Sequence, residues 1–279
     1  MPVIEVKDLH HRYPNGFHAL RGVNATVERG EFVAIIGQNG SGKTTFVKHL
    51  NGLLRATSGS VIVNGRDVGK RKVSEMARAV GYCFQNPDHQ IFCDTVYKEV
   101  AFGPLNLHLS QVEIDRRVDE ALGAVGLLEA KERMPRELSK GQRQRLAVAA
   151  VLSMHPNILI IDEPTTGQDY RDGIEMLELV RHLNQEGHTV LFITHDMPMV
   201  ARYAERVIVF RDGQIVLDGT TRQVFAQSQI LQSTFLSPPP ITSLGQALPE
   251  FFPTTVLSVS EMVDQAQSLI KHRAERVPS

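Results

Sequence analysis

Eight consecutive residues, Gly37-Gln38-Asn39-Gly40-Ser41-Gly42-Lys43-Thr44, have the spacing of a loop that wraps phosphate groups. Glycines let such a backbone turn tightly, so that several N–H groups face one anion. In this pattern Lys43 reaches the outer phosphates of a nucleoside triphosphate and Thr44 offers its hydroxyl to magnesium. Ser41 and Thr45 can donate to phosphate oxygens. A second group, Ile158 to Ile161 followed by Asp162-Glu163, is an apolar run ending in two carboxylates. One carboxylate could join a magnesium shell (Asp162) and the next could polarise an attacking water (Glu163). Alone, an Asp-Glu ending is often only a solvated exit from a sheet; the upstream loop makes a paired role the better reading. A third group, Leu138-Ser139-Lys140-Gly141-Gln142, precedes a helix-forming run to Met154. It presents a hydroxyl, a glycine backbone and a helix start to an anion, although a Ser-x-Gly before a helix is more often than not only an N-cap.

These groups need elements to hold them. Phe32 to Ile36, Ile158 to Ile161 and Val190 to Ile193 are short continuous apolar runs, as expected of strands buried on both faces of a parallel sheet. Functional groups then gather at the carboxyl edge. Phe46, Val47 and Leu50 give the helix after the phosphate loop, whose N-terminus adds a positive dipole end. Val3 to Leu9, Val23 to Glu28 and Val61 to Val63, the last before Asn64-Gly65, alternate as half-buried strands of a small antiparallel layer. Between Asp94 and Met154 the pattern is helical, with Ser110 and Glu113 spaced as a capping box and Gly126 placed to end that helix. Val207 to Leu217 reads as a hairpin turning at Asp212-Gly213. Pro238-Pro239-Pro240 marks a break and linker, and Ser258 with Glu261 starts a further helix through Met262, Ala266, Leu269 and Ile270.

Composition narrows the partners. The chain has 279 residues, which suits one large domain with an appendage or two subdomains sharing a site. Lys and Arg total 30 against 31 Asp and Glu, so no global charge excess draws it to nucleic acid or anionic lipid. Cys83 and Cys93 form no disulfide framework, and two small buried thiols in a reducing compartment are expected. The first residues lack the apolar core of a signal peptide, and no apolar run approaches the roughly 18 to 20 residues that span a bilayer. The expected location is therefore the cytoplasm, with any membrane role exercised through partners.

The order of the motifs then carries a resemblance. A phosphate loop, an LSKGQ segment, an IIDEP strand end and Thr194-His195-Asp196 resemble an ATP-binding cassette (ABC) ATPase over residues 1 to about 225. The resemblance implies an α/β fold: a P-loop NTPase core with a mixed sheet, an N-terminal antiparallel β layer, an inserted helical subdomain (about 88–155) and a small C-terminal helical extension. The ATPase domain would span 1–236 and the extension 237–279. It implies ATP and magnesium as ligands, and a head-to-tail dimer in which Ser139, Gly141 and Gln142 of one cassette close over ATP on the partner's loop. Asp169 would be the D-loop carboxylate, His195 the switch histidine at the γ-phosphate, Tyr13 the aromatic that stacks on adenine, and Gln85 a glutamine touching magnesium. Catalysis would rest on Glu163, Lys43 and His195. Lys140 stands where the family usually has a second glycine, and Gln168 where it commonly has leucine.

Within that family, Gln85-Asn86-Pro87-Asp88-His89-Gln90-Ile91-Phe92 and Glu99 to Pro104 are similar to the A components of energy-coupling-factor (ECF) transporters, as is the segment after Pro238. That likeness implies an ATP-hydrolysing subunit at the cytoplasmic face of the cell membrane that drives uptake of a vitamin or transition-metal ion. Its partners would be a second cassette, identical or not, a transmembrane scaffold and a membrane-embedded substrate-binding subunit, with no nucleic acid. Ile91 and Phe92 would either meet a coupling helix of the membrane partner or anchor the helical subdomain internally. The competing readings are a cassette of another transporter class, a soluble non-transport ABC protein and, furthest from the motifs, a small-molecule kinase.

Overall fold

The computed structural model describes residues 2–164 and 170–274. Chain order opens with β1 (Pro2–Arg12), β2 (His18–Glu28) and β3 (Phe32–Gly37), then α1 (Lys43–Leu50), β4 (Ser58–Val63), β5 (Arg66–Asp67), the short α2 (Val73–Met76) and β6 (Val80–Cys83). The inserted helices are α3 (Val96–Asn106), α4 (Gln111–Ala124) and α5 (Lys140–Leu152). The chain returns through β7 (Ile158–Asp162), α6 (Tyr170–Gln185), β8 (Thr189–Ile193), α7 (Met197–Tyr203), β9 (Arg206–Arg211) and β10 (Gln214–Thr220). It closes with α8 (Thr221–Ala226), α9 (Ser228–Ser233), α10 (Pro240–Ala247) and α11 (Val259–Ala274).

Two sheets result. The larger has the order β10-β9-β3-β8-β7-β6, parallel except for the β9–β10 hairpin, and the smaller is antiparallel, β2-β1-β4-β5. The continuous apolar runs are explained by their neighbours on both faces. In β3, Phe32, Ala34 and Ile36 join a core shared with α3 to α7, while Val33 and Ile35 join a second core with α1 and the antiparallel layer. β7 divides the same way, Leu159 and Ile161 against Ile158 and Ile160. A strand with water on one face could not afford that composition.

Turn residues set the register. Asn64-Gly65 and Asp212-Gly213 all have positive φ, the backbone of a two-residue hairpin turn whose twist matches its strands. The second turn also braces the phosphate loop: Gly213 N–H donates to the Ser41 carbonyl at 3.0 Å, and the Gly213 carbonyl accepts from Arg21 N–H at 2.9 Å. A Cβ on Gly213 would lie 2.6 Å from the Ala19 carbonyl oxygen.

Several expectations need correction. Ser110 Oγ does accept from Glu113 N–H, but the Glu113 carboxylate turns to Arg116 and Arg117, whose charges outcompete a neutral N–H, so only half the capping box forms. At Ser258 the Glu261 carboxylate takes Leu257 N–H and Arg222 instead of the cap residue's own N–H. The reciprocal boxes are Ser139 with Gln142 and Thr220 with Gln223. Pro238 and Pro239 are buried, and Pro240 opens α10 at a position that needs no N–H. The extension packs on α8 through Gln246 to the Phe225 carbonyl and Arg222 to Glu261. Cys83 is buried, and burial pushes its thiol up to about 12, but Cys93 is only half-buried. No helix among the described residues is long and apolar enough to cross a membrane.

Gly81 shows how closely α5 lies on β6, since a Cβ there would sit 2.1 Å from Val151 Cγ1. Gly81→Ala should therefore cost about 1–3 kcal/mol, read as a lower urea midpoint. A second test concerns His49, whose ring is 1 % exposed and whose pKa burial lowers. The unfolded chain then binds the extra proton first, so the stability His49 contributes is present above about pH 6.5 and lost as pH falls from there toward its folded pKa. Thermal midpoints measured at about pH 7.5 and about 5.5 should fall further for the parent chain than for His49→Leu.

Candidate functional site

The carboxyl edge of the larger sheet collects the charged residues. Gly37 ends β3 with φ 149°, and a Cβ on it would meet the Phe210 carbonyl oxygen at 2.4 Å and Ser41 Oγ at 2.8 Å, so only glycine lets the loop pass. Gly42, with φ 108°, precedes α1 and is also confined, since a Cβ on it would lie 2.9 Å from the Ala19 carbonyl oxygen. The loop therefore turns back over the end of β3 and delivers Lys43 inward. Lys43 is 7 % exposed, and its ammonium donates to the Gly37 and Gln38 carbonyls at 2.7 and 2.9 Å. Burial lowers its pKa, opposed by the negative charges of Glu163 and Asp162.

Asp162, the last residue of β7, is buried. Its Oδ2 accepts from Tyr82 Oη at 2.8 Å and from Thr44 Oγ1 at 3.2 Å. Burial raises its pKa first, and the two hydrogen bonds oppose that by stabilising the carboxylate. Glu163 follows with φ 51°, a left-handed conformation unusual for a side-chain-bearing residue, held by its N–H donating to the Ile193 carbonyl at 2.9 Å. This twist at the end of β7 turns the two consecutive carboxylates apart. Glu163 Oε2 lies 2.7 Å from Nδ1 of His195, whose side chain is 67 % exposed against 10 % for the glutamate.

Between these groups lies a cleft of about 200 Å³, walled by Asn39, Gly40, Gly42 and Gln85 as well as the charged residues. Phe17, 53 % exposed, forms part of its rim. Ser41 Oγ is buried without a hydrogen-bond partner, a donor left over by the protein's own structure in a loop built to enclose an anion. With the glycine confinement and the inward ammonium, this donor set fits a polyphosphate. The oxygens of Thr44, Asp162 and Gln85 fit a hard divalent cation.

Sequence-identified residues divide into those this edge gathers and those it does not. Gly37 to Thr45, Gln85, Asp162, Glu163 and His195 come together. Tyr13 is not among the residues lining this cleft; its hydroxyl lies 3.0 Å from Thr45 Oγ1, so Thr45 is engaged with Tyr13. Ser139, Gly141 and Gln142 do not line the cleft. Ser139 caps α5, accepting from Gln142 N–H at 3.2 Å while the Gln142 amide oxygen accepts Ser139 N–H at 2.9 Å. Gly141 lies where a Cβ would come within 2.7 Å of an Asp172 carboxylate oxygen. Asp169 lies outside the described residues. Two contributors escaped the sequence reading. Tyr82 was one apolar residue in a strand with no sign of its hydroxyl's target, and Phe17 was overshadowed by Tyr13 four positions earlier.

The comparisons with known proteins agree with this geometry. Residues 20–166 match the family described as ABC transporter. A putative ABC transporter ATP-binding protein of Caldanaerobacter subterraneus is 50 % identical over 94 % of the chain, which spans only 45 % of that relative's length. The energy-coupling factor transporter ATP-binding protein EcfA of Methanoculleus marisnigri is 44 % identical, with 90 % of this chain and 91 % of that protein covered. Among solved structures, cbiO1 of Clostridium perfringens, part of the ABC transporter complex cbiONQ, superposes with a TM-score of 0.77 at 37 % identity, covering 88 % of this chain and 99 % of that one. The chain belongs to the ABC transporter family of ATP-binding proteins, and the mixed sheet, antiparallel layer and inserted helices are the fold of an ABC ATPase.

Gly37→Ala tests the confinement directly. The added methyl should lower ATP affinity at least about tenfold, measured by titration calorimetry, because the loop must move to admit it.

Proposed function

We propose that this chain is the ATP-hydrolysing subunit of an energy-coupling-factor type importer, a peripheral protein at the cytoplasmic face of the cell membrane. The observation that carries the ATPase reading is the convergence of Lys43, Asp162 and Glu163 on one cleft, while the Ser139-to-Gln142 segment lies elsewhere on the same chain. A cleft of about 200 Å³ is small beside the roughly 300–1,000 Å³ of complete ligand pockets, which supports a half-site. A second cassette supplies the missing wall by presenting its own Ser139, Gly141 and Gln142, or their equivalents, and Asp169 belongs to the same contact.

Thr44, Asp162 and Gln85 would hold a magnesium ion, which would supply neutralisation of phosphate charge. Lys43 and the loop amides take the β- and γ-phosphates. Glu163 accepts a proton from the attacking water, whose oxygen bonds the γ-phosphorus as the bond to the bridging oxygen of ADP breaks. His195 orients the Glu163 carboxylate and contacts the γ-phosphate. ATP thus joins two cassettes, and hydrolysis releases them.

The importer reading rests on the segment after β6. Glu99, buried at 3 % exposure, accepts from Phe92 and Cys93 N–H at 3.0 and 2.8 Å. Gln90 joins Phe84 N–H to the Ala147 carbonyl. This scaffold tucks Ile91 against the core and leaves Phe92 66 % exposed, edge-on to the exposed Phe102. Phe92, Phe102, Leu107 and Met154 line a groove of about 660 Å³, an apolar surface that suits a coupling helix of a transmembrane scaffold. The likeness to EcfA over nine-tenths of both chains favours the same partners, including a membrane-embedded subunit for a vitamin or metal ion.

Purification of the tagged chain from gently solubilised membranes should recover a transmembrane scaffold and a small membrane subunit. Recovery with ribosomes, nucleic acid or an extracytoplasmic binding-protein system would overturn the importer assignment. Glu163→Gln should cut turnover by about 10²-fold or more while ATP still binds, leaving a dimer that gel filtration resolves. Turnover at the parent rate would remove Glu163 from the mechanism.

A further inference from the structure

Two buried histidines lie behind the phosphate loop, outside the groups that contact the cleft. His11, near the end of β1, is 7 % exposed, and His49, in the last turn of α1, is 1 % exposed. Their hydrogen bonds fix their protons. His49 Nδ1 is 2.8 Å from the Thr45 carbonyl, which can only accept, so that nitrogen carries the hydrogen. In the neutral ring, Nε2 of His49 then holds a lone pair, and it faces His11 Nδ1 at 3.1 Å. His11 Nδ1 must therefore be the donor, and its hydrogen is shared with the Arg55 carbonyl at 3.0 Å. The chain of bonds runs in one direction, from His11 through His49 to the backbone of Thr45.

His11 also packs against Tyr13, and His49 holds His11 in turn. The His11 ring meets the Tyr13 ring nearly perpendicular, with centroids 4.6 Å apart and planes at 84°, and meets His49 at 4.7 Å and 74°. Tyr13 Oη closes the circuit on Thr45 Oγ1 at 3.0 Å. Thr45 is thus held twice, by its carbonyl to His49 and by its hydroxyl to Tyr13. An aromatic wall is only as effective as its orientation is fixed, and a tyrosine beside a mobile loop would lose conformational entropy on every binding event.

We propose that His11 and His49 are positioning residues that lock Tyr13 to the first turn of α1, preorganising it as the wall that receives the adenine ring. This rests on the ATP-site reading above and on the resemblance that sets Tyr13 against adenine, and it assigns that site a support on the base side apart from the phosphate-binding groups. His11 and His49 touch no part of the nucleotide. Their contribution reaches it through the ring of Tyr13, so it should be felt by a ligand with a base and not by one without.

Affinities for ATP and for inorganic tripolyphosphate, measured by titration calorimetry on the full chain, separate the possibilities. His49→Leu keeps the volume and removes both polar contacts. It should weaken ATP about five- to tenfold and leave tripolyphosphate within about twofold. Tyr13→Ala should weaken ATP at least as much, and adding His49→Leu to it should cost nothing further, because the wall to be positioned is gone. His49→Gln, which can donate to the Thr45 carbonyl and accept from His11, should recover most of the ATP affinity. If ATP and tripolyphosphate weaken together, the pair merely supports the loop's fold and the inference fails. It fails equally if neither ligand is affected, or if the His49→Leu and Tyr13→Ala effects add. Lys43→Ala is the control for the site itself. Loss of both ligands there keeps the ATP-site reading standing whatever the histidines do, whereas unchanged binding would remove that reading and this inference with it.

Discussion

Burying the Lys43 ammonium beside two carboxylates is the constraint around which this chain is arranged. A charge removed from water is costly unless its hydrogen bonds and counter-charges are supplied. The Gly37 and Gln38 carbonyls and the field of Asp162 and Glu163 supply them. Each of those groups has requirements of its own. The carbonyls face the ammonium only because Gly37 and Gly42 adopt backbones that a side chain would block. Burial pushes the Asp162 pKa up, and the hydrogen bonds from Tyr82 and Thr44 oppose that shift by favouring the carboxylate. Glu163 diverges from its neighbour through a left-handed residue anchored on β8. The strands that carry these groups are apolar on both faces because helices cover one side and the antiparallel layer the other.

Two consequences follow for function. The site is rigid where charge must be held and open where charge must arrive: Lys43 and Asp162 are buried, whereas His195 is mostly exposed and bonded to the buried Glu163 across the boundary. A second surface forms where the inserted helices rejoin the sheet. There the buried Glu99 carboxylate accepts from two backbone N–H groups, and this fixes a loop whose tip, Phe92, keeps its ring mostly exposed, edge-on to the exposed Phe102. Gln85 opens the segment that leads to Phe92 and also walls the nucleotide cleft. One stretch of chain therefore touches both surfaces, which is the physical link that the proposed coupling of ATP to a membrane partner requires.

Much of this was readable in the sequence because it depends on local chemistry. The phosphate loop needs glycine where φ is positive, the Asp212-Gly213 and Asn64-Gly65 turns need the same, and strands covered on both faces need unbroken apolar runs. Contacts set by long-range packing were not readable. Tyr82 and Asp162 are eighty positions apart, and nothing in either neighbourhood announces their bond. His11 and His49 are ordinary letters in a strand and a helix until the antiparallel layer is laid over α1. The capping residues show the intermediate case. Ser110 and Ser258 were read correctly as helix starts, but arginines nearby in space or sequence claimed the glutamates that were to complete their boxes. Ile91 and Phe92 show a choice the sequence left open and packing divided, one inward and one outward.

The central claim is that one chain holds only half of each catalytic site. Specific ATPase activity measured as the purified cassettes are diluted tests it most directly. The account predicts that activity per chain falls toward zero on dilution, as pairs separate, and recovers when concentration is restored. Activity per chain that stays constant at every dilution would mean that Lys43, Asp162 and Glu163 complete their site within a single chain, and would contradict it.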